Sequence, residues 1–248
     1  MSTGFPTQLQ TAIQRWWTEH RRDKSVLGTV ALLSRELWDF VRDSTPARRR
    51  QRYGDMDYDW EFRVNTTSGT VGWRERLLGV FHSAYQPTDP TAFERMMEAL
   101  PIEAAGFTFI DLGSGKGRTL LLASEYAFAH IIGVELLPEL HRAAEENIRA
   151  YCESRRFRAN IESICIDACE FEFPPAKLVI YLFHPLPEAG LLRVVQNLQQ
   201  SLAQFPREVW LVYHNPVLER VVSASKLLER FTGGEYFSIY RSRTKDDR

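Results

Sequence analysis

The sequence predicts an α/β fold in which helices cover both faces of a doubly wound, mostly parallel sheet. From about residue 85 onward, short apolar runs rich in β-branched or aromatic residues alternate with segments of helical periodicity. The predicted strands cover residues 107–111, 131–135, 160–166, 178–183 and 209–213, and the predicted helices cover 118–128, 138–152, 188–205 and 216–230.

A final predicted strand covers residues 236–241. It follows directly on the Gly233-Gly234 turn, which leaves no room for another crossover helix. We therefore expect this strand to run antiparallel to the others, at or near the edge of the sheet.

An N-terminal helical and loop extension precedes the sheet, and we divide the chain into residues 1–84 and 85–248. Apolar residues recur at helical spacing over residues 9–17 and 26–41, which predicts two amphipathic helices. The aromatic side chains in the first of these are expected to pack against the main domain rather than to stack on a ligand.

Charged and turn-forming residues fill the rest of the extension. An arginine cluster at residues 48–52 is followed at once by an acidic run at 55–61, and we expect the two to neutralise each other. Residues 65–72 favour a loop or lid. A short helix that starts at Asp89 or Thr91 is expected to lead into the sheet.

Composition excludes several classes of protein. The formal net charge of -1 provides no overall basic field for nucleic acid or an anionic membrane. The chain contains neither a signal pattern nor an apolar run of the roughly 18 residues needed to span a membrane, so we expect a cytoplasmic protein. Three cysteines without a Cys-x-x-Cys pair indicate reduced thiols rather than disulfides or a metal site.

The loop after the first predicted strand carries the clearest chemical signal. Its residues are Asp111, Leu112, Gly113, Ser114, Gly115, Lys116 and Gly117, and a helix follows. Glycines allow close approach of the backbone to a ligand, and the helix dipole adds a positive end. The spacing does not match a phosphate-binding P-loop, and Arg118 stands at the position where the dinucleotide fingerprint needs Gly or Ala.

This loop resembles the first motif of class I S-adenosylmethionine-dependent methyltransferases, an acidic residue followed by x-Gly-x-Gly-x-Gly. The resemblance implies a Rossmann-like, seven-stranded sheet and S-adenosylmethionine as cofactor. It also implies that the loop wraps the methionine and ribose parts, while Asp111 positions the amino acid moiety.

Two further acidic residues follow predicted strands. Glu135, with Leu136 beside it, ends the second strand about twenty residues after the loop, where a carboxylate can bind ribose hydroxyls. Asp167 and Ala168 follow the third strand, where the family often contacts the adenine amino group. A turn or capping role for Asp167 is the alternative.

The fourth strand ends at Phe183, which is followed by His184 and Pro185. In the family this edge reads Asn or Asp, Pro, Pro, aromatic in enzymes that act on amide or exocyclic amino nitrogens, and His184 departs from that pattern. The imidazole could accept a proton from the methyl acceptor, or it could only hydrogen-bond the backbone. His214 and Asn215 follow the fifth strand and could line the acceptor pocket, with turn and cap roles as the alternative.

An upstream segment adds a second resemblance. Tyr85, Gln86, Pro87 and Thr88 look like the segment that closes over the cofactor in non-SET histone-type lysine methyltransferases. The chain as a whole is similar to bacterial methyltransferase-like proteins whose acceptors are unassigned.

These resemblances imply transfer of a methyl group to a nitrogen acceptor such as a protein lysine. The alternatives are a small-molecule acceptor, a nonenzymatic S-adenosylmethionine-binding module and, disfavoured by Arg118, a nicotinamide-dependent oxidoreductase.

Overall fold

The structure is a computed structural model that describes residues 10, 13–14, 17–18, 21, 25–43, 56–67, 87–155, 160–183 and 186–243. The chain divides into two compact units: Met1–Tyr58 with Thr67–Gln86, and Asp59–Thr66 with Pro87–Arg248. The short segment Asp59–Thr66 thus belongs to the same unit as the sheet. Nothing is described for the arginine cluster at 48–52.

The first unit contains helix α1, Val26–Asp43. It covers the stretch in which the apolar periodicity predicts a helix, and the described residues between 10 and 21 are helical as well. Helix α2, Met56–Phe62, leads from the first unit into the second. None of the helices in the described part of the chain combines the length and apolar character that a membrane span requires.

The second unit contains the sheet. Its strands are β1 Thr108–Leu112, β2 His130–Glu135, β3 Ile161–Cys165, β4 Leu178–Phe183, β5 Val209–His214, β6 Leu228–Gly233 and β7 Phe237–Ser242. Its helices are α3 Pro90–Glu98, α4 Arg118–Ala123, α5 Pro138–Arg155, α6 Glu188–Gln204 and α7 Glu219–Ser223.

The strand order is β3-β2-β1-β4-β5-β7-β6, with seven strands in one sheet. Strands β1 to β5 pair in parallel, and β7 is antiparallel to both of its neighbours. The predicted doubly wound, mostly parallel sheet with an antiparallel last strand is therefore confirmed. The order reverses between β1 and β4, which is where open α/β sheets bind ligands at the carboxyl ends of the strands.

One predicted helix is wrong over most of its length. Instead of a helix over residues 216–230, the chain forms the short α7 and then strand β6. The Ser225 hydroxyl accepts a hydrogen bond from Gln199 Nε2 at 2.8 Å and one from the Leu227 N–H at 3.3 Å, which fixes a turn after α7. The apolar residues of this stretch suit a short helix and a strand as well as one long helix.

The sheet separates two apolar cores. Ile110, Ile180 and Leu211 point to the face that α6 covers, whereas Phe109, Val179 and Val212 point to the face covered by α3 and α4. Side chains alternate along a strand. Asp111 therefore lies on the α3 and α4 face of the sheet, and this face carries the polar groups of the site.

Candidate active site

The loop after β1 makes three left-handed backbone turns. Gly113, Gly115 and Gly117 have φ angles of 85°, 55° and 82°, a region that L side chains rarely adopt. The N–H groups of Gly113 and Ser114 both donate to the Val134 carbonyl, at 2.8 and 3.0 Å. The predicted loop is thus fastened to the end of β2.

Glu135 holds the same loop through its side chain. Its Oε2 accepts a hydrogen bond from the Gly115 N–H, and its Oε1 accepts one from the Leu137 N–H, both at 2.8 Å. The carboxyl group is buried, and this burial raises its pKa although the backbone donors oppose the shift. Leu136, which lies between Glu135 and Leu137 in the chain, is exposed.

Asp111 is a second buried carboxyl group close to Glu135. It is 3% exposed, and its pKa rises from 3.8 to about 8 because burial disfavours the charged form. The negative charge of Glu135 raises the pKa further, while a hydrogen bond with the Thr119 hydroxyl lowers it. Among the described residues, no cationic side chain contributes to the pKa shift of either carboxyl group.

Asn147 of α5 joins the loop to the segment Asp59–Thr66. Its Oδ1 accepts from the Asn65 N–H at 2.7 Å, and its Nδ2 donates to the carbonyls of Asn65 and Lys116, both at 3.0 Å. Lys116 is buried, and its Nζ donates to Asn65 Oδ1 at 3.3 Å. The upstream segment therefore supports the loop from outside the sheet.

Arg118, at the start of α4, makes a second connection to that segment. Its guanidinium is 1% exposed and lies 3.0 Å from the Asp59 carboxylate. Its Nε donates to Thr66 Oγ1 at 2.6 Å, and the Thr66 hydroxyl in turn donates to Asp59 Oδ1 at 2.5 Å. Asp59 of the acidic run thus pairs with Arg118. The arginine cluster lies outside the described residues, so the expectation that the acidic run neutralises it stays a prediction.

The ends of β4 and β5 bring a histidine and a tyrosine together on the same face. Tyr181 Oη lies 2.7 Å from His214 Nδ1 and 2.9 Å from Thr88 Oγ1. The His214 ring stacks on Phe183 at a centroid distance of 3.9 Å. Burial lowers the pKa of His214 to about 4, although Asp89 opposes the shift, so the imidazole is neutral at pH 7.

Asp167 lies beside the end of β2, since the Ile166 N–H donates to the Glu135 carbonyl at 3.1 Å. Its side chain accepts a hydrogen bond from the Cys169 N–H at 2.9 Å and caps the short 3₁₀ turn Ala168–Glu170. The capping role is thus present, and the contact of Asp167 with adenine stays a prediction.

Two predicted site residues lie outside the described residues: Tyr85, expected to close over the cofactor, and His184, expected at the methyl acceptor. Their neighbours are described. Thr88 is hydrogen-bonded to Tyr181, and Phe183, the last residue of β4, stacks on the His214 ring. The roles of Tyr85 and His184 remain predictions.

Sequence reasoning missed the residues that support the loop from a distance, namely Asp59, Asn65, Thr66 and Asn147. It also missed the links through Thr88, Thr119 and Tyr181. Local patterns gave no signal for them, because each of these residues contacts another that lies at least 31 positions away in the sequence.

No protein-family model matches the sequence, and comparison with curated proteins gave no significant match. Among solved structures, the chain is similar to an RNA methyltransferase from Salinibacter ruber in complex with S-adenosyl-L-homocysteine, with 21% identity, 63% of this chain and 92% of that chain covered, and a TM-score of 0.44. It is similar to a ribosomal protein L11 methylase from Lactobacillus delbrueckii subsp. bulgaricus, with 16% identity, 62% and 76% covered, and a TM-score of 0.41. It is also similar to a TehB-like SAM-dependent methyltransferase from Corynebacterium glutamicum, with 14% identity, 65% and 91% covered, and a TM-score of 0.43.

Proposed function

We propose that this protein is an S-adenosylmethionine-dependent methyltransferase that acts on a nitrogen acceptor. The observation that carries the proposal is the pair of buried carboxyl groups, Asp111 and Glu135, at the ends of adjacent parallel strands beside the glycine loop. Burying two carboxyl groups together is costly unless something compensates them. A ligand that carries both a cationic group and hydroxyl donors would compensate the two carboxyl groups, the cation at one and the hydroxyls at the other.

The hydrogen bonds of the loop argue against a phosphate ligand. Phosphate sites present several backbone N–H groups to the anion. Here the N–H groups of Gly113, Ser114, Gly115 and Gly117 all donate to acceptors within the protein. An anionic pyrophosphate would also lie close to the two carboxyl groups, which disfavours a nicotinamide dinucleotide.

In this assignment Asp111 faces the ammonium group of the cofactor's amino acid portion, and Glu135 accepts hydrogen bonds from the ribose hydroxyls. A carboxylate has about four acceptor sites, so Glu135 can accept such a donor in addition to its backbone N–H partners. Asp167, Ala168 and Leu136 are assigned to the adenine side. When bound, the cofactor supplies an electrophilic methyl group on a sulfonium.

Displacement at that methyl group needs an aligned acceptor and a place for its proton, rather than a covalent intermediate on the protein. A neutral imidazole suits the removal of a proton from nitrogen. His214 is neutral near pH 7, and His184 follows the adjacent strand. A protein lysine is the acceptor we would test first, on the resemblance of residues 85–88, with small molecules and nucleic acids as the other outcomes.

Calorimetry with S-adenosylmethionine, S-adenosylhomocysteine and NAD tests the cofactor assignment. We expect the first two to bind and NAD not to bind. Glu135→Ala should weaken S-adenosylhomocysteine binding about ten- to a hundredfold, the usual loss for hydrogen bonds to a charged group. Glu139→Ala, an exposed carboxylate at the start of α5, is the matched control and should bind normally. Preference for NAD would remove the proposal.

The acceptor is tested by incubating a cell extract with the purified protein and methyl-labelled cofactor. Label in protein that survives nuclease treatment and is recovered as methyl-lysine would support a lysine acceptor. Label recovered in nucleic acid or in small molecules would contradict the lysine acceptor and identify the other class of acceptor. Binding without transfer to any fraction would indicate a nonenzymatic module.

A further inference from the structure

A continuous row of hydrogen-bonding side chains runs between β1 and the end of β5. The Asp111 carboxyl group is hydrogen-bonded to the Thr119 hydroxyl. Thr119 Oγ1 donates to Thr88 Oγ1 at 3.3 Å, and Thr88 Oγ1 lies 2.9 Å from Tyr181 Oη. Tyr181 Oη lies 2.7 Å from His214 Nδ1, so five side chains are linked in series.

The backbone explains why the row is continuous. Asp111 and Tyr181 are register partners in the adjacent strands β1 and β4, so their side chains leave the same face of the sheet. His214 stands opposite Phe183, two residues further along β4, on that same face. Thr119 of α4 and Thr88, two residues before the start of α3, fill the gap.

Each of the three hydroxyl groups has one proton to donate, and this ties their directions together. If Asp111 is protonated, it can donate to Thr119, and every later group donates onward until Tyr181 donates to His214 Nδ1. If Asp111 is ionised, it accepts from Thr119, whose proton then leaves the bond to Thr88. The row stays connected when Thr88 turns to donate to Thr119 and every later link reverses. In that arrangement His214 Nδ1 donates to Tyr181.

We propose that this row of side chains couples the ionisation of Asp111 to the tautomer of His214. With Asp111 protonated, the hydrogen of the neutral imidazole is on Nε2. With Asp111 ionised, it is on Nδ1, and Nε2 becomes a proton acceptor. The two ends of the row thus act as one site that gains or loses a single proton.

The protons balance in this exchange. When Asp111 ionises, its proton passes to Thr119, and each hydroxyl passes its own proton one step onward until Nδ1 receives one. The hydrogen on Nε2 leaves to solvent at the same time. Asp111, the three hydroxyls and the imidazole hold five exchangeable protons before this event and four after it, so one proton is released.

The surrounding charges place this exchange within an accessible pH range. Burial and the negative charge of Glu135 raise the pKa of Asp111 to about 8. Burial raises the pKa of Tyr181 well above its ordinary value, and Asp111 adds to that shift, so the phenol keeps its proton. Asp89 is the charged group that acts on His214, whose pKa near 4 leaves the ring neutral throughout.

The catalytic consequence rests on the proposed function. A cationic ammonium group beside Asp111 favours the ionised carboxylate, and this sets His214 Nε2 to accept a proton. A nitrogen acceptor that gains a methyl group must lose one proton. That proton binds Nε2, the Nδ1 hydrogen moves to Tyr181, and the successive transfers end with a protonated Asp111. Binding of the cofactor therefore prepares the proton acceptor at the far end of the row.

Nitrogen NMR of histidine-labelled protein tests the coupling without any cofactor. Protonated and unprotonated ring nitrogens have well-separated ¹⁵N shifts, and the signals of His214 are identified by their loss in His214→Gln. We expect the hydrogen to move from Nε2 to Nδ1 as pH rises, with a midpoint near the Asp111 pKa of about 8. A tautomer that stays unchanged between pH 6 and pH 9.5 would overturn the proposal.

Two variants break the row at different places. Thr88→Val and Tyr181→Phe should each abolish the transition near pH 8 while His214 stays neutral. Tyr213→Phe removes a buried phenol from the other face of the sheet and should leave the transition in place. A transition that persists in Thr88→Val would also overturn the coupling. Because cofactor affinity is measured separately, failure of the coupling would not be mistaken for failure of the methyltransferase assignment.

Discussion

The guanidinium of Arg118 lies 3.0 Å from the carboxylate of Asp59, although 59 positions separate the two residues in the chain. Arg118 directly follows the glycine loop, and Asp59 belongs to the segment Asp59–Thr66. Both groups are largely buried, at 1% and 12% exposure, so the pair is shielded from the solvent that weakens surface ion pairs. The loop is thereby fixed to a segment outside the sheet.

We expect removal of one member of this pair to destabilise the protein strongly. Arg118→Met removes the guanidinium from the largely buried Asp59 carboxylate and should lower the free energy of unfolding by about 3–5 kcal/mol. The double variant with Asp59→Leu should lose less than the sum of the single changes. Urea unfolding measures all three. The exposed pair Lys177 and Glu208 is the control, and breaking it should cost at most about 1 kcal/mol.

Asn147→Ala should also destabilise the loop. The change removes the partners of the Asn65 N–H and of the carbonyls of Asn65 and Lys116, and we expect a loss of about 1–3 kcal/mol. Asn160→Ala removes one exposed hydrogen bond, to the Ala129 carbonyl, and should change stability by less than about 0.5 kcal/mol. Equal losses in the two variants would contradict the assigned role of Asn147.

Gly117→Ala tests whether the left-handed turn at the end of the loop is required. At φ of 82° an added methyl group is strained, and it would lie 3.1 Å from Ala144 Cβ of α5. We expect a loss of about 1–2 kcal/mol from the backbone alone and a lower Tm. At Gly106 an added methyl group meets nothing within 4 Å, so Gly106→Ala is a control that should unfold near the wild-type temperature.

Stability should fall as pH rises from about 4 to 8. The folded pKa of Asp111 is about 8 against an ordinary value of 3.8, so between these values the folded state binds a proton that the unfolded state has lost. A state that binds more protons is weakened as pH rises. Asp111→Asn cannot ionise and should flatten the decline measured by urea unfolding at several pH values. Glu135, whose pKa is also raised, should leave a residual slope.

Affinity for S-adenosylhomocysteine is expected to have the opposite pH dependence. Its ammonium group favours an ionised Asp111, so binding should tighten between pH 6.5 and pH 8.5 and level off above the folded pKa. Calorimetry across this range provides the measurement. Asp111→Asn should bind more weakly and lose most of the pH dependence, and an affinity that is constant with pH in the wild-type protein would contradict the role of Asp111.

The sequence predicts the sheet and the loop because their signals are local. Buried parallel strands appear as short apolar runs, and the left-handed turns at Gly113, Gly115 and Gly117 require glycine at fixed spacing. The carboxylate at Glu135 follows from its place after a strand. These inferences need only neighbouring residues and the general rule for ligand sites in open sheets.

The supporting contacts could not be predicted in the same way. Nothing beside Asp59 or Asn147 indicates a partner 59 or 82 positions away, because such pairing depends on how the segments fold back. Strand β6 was missed for a different reason. Its apolar residues continue the helical period of α7, and only the turn fixed by Ser225 separates the two elements.

The position of β7 has a consequence for how the protein assembles. Because β7 lies between β5 and β6, the earlier strand β6 has no place in the sheet until the later residues Phe237–Ser242 have inserted. During synthesis on the ribosome, the edge of β5 therefore stays open while β6 emerges. We expect a nascent chain halted after Gly233 to expose an unpaired β5 edge, the kind of surface that chaperones cover and that promotes aggregation.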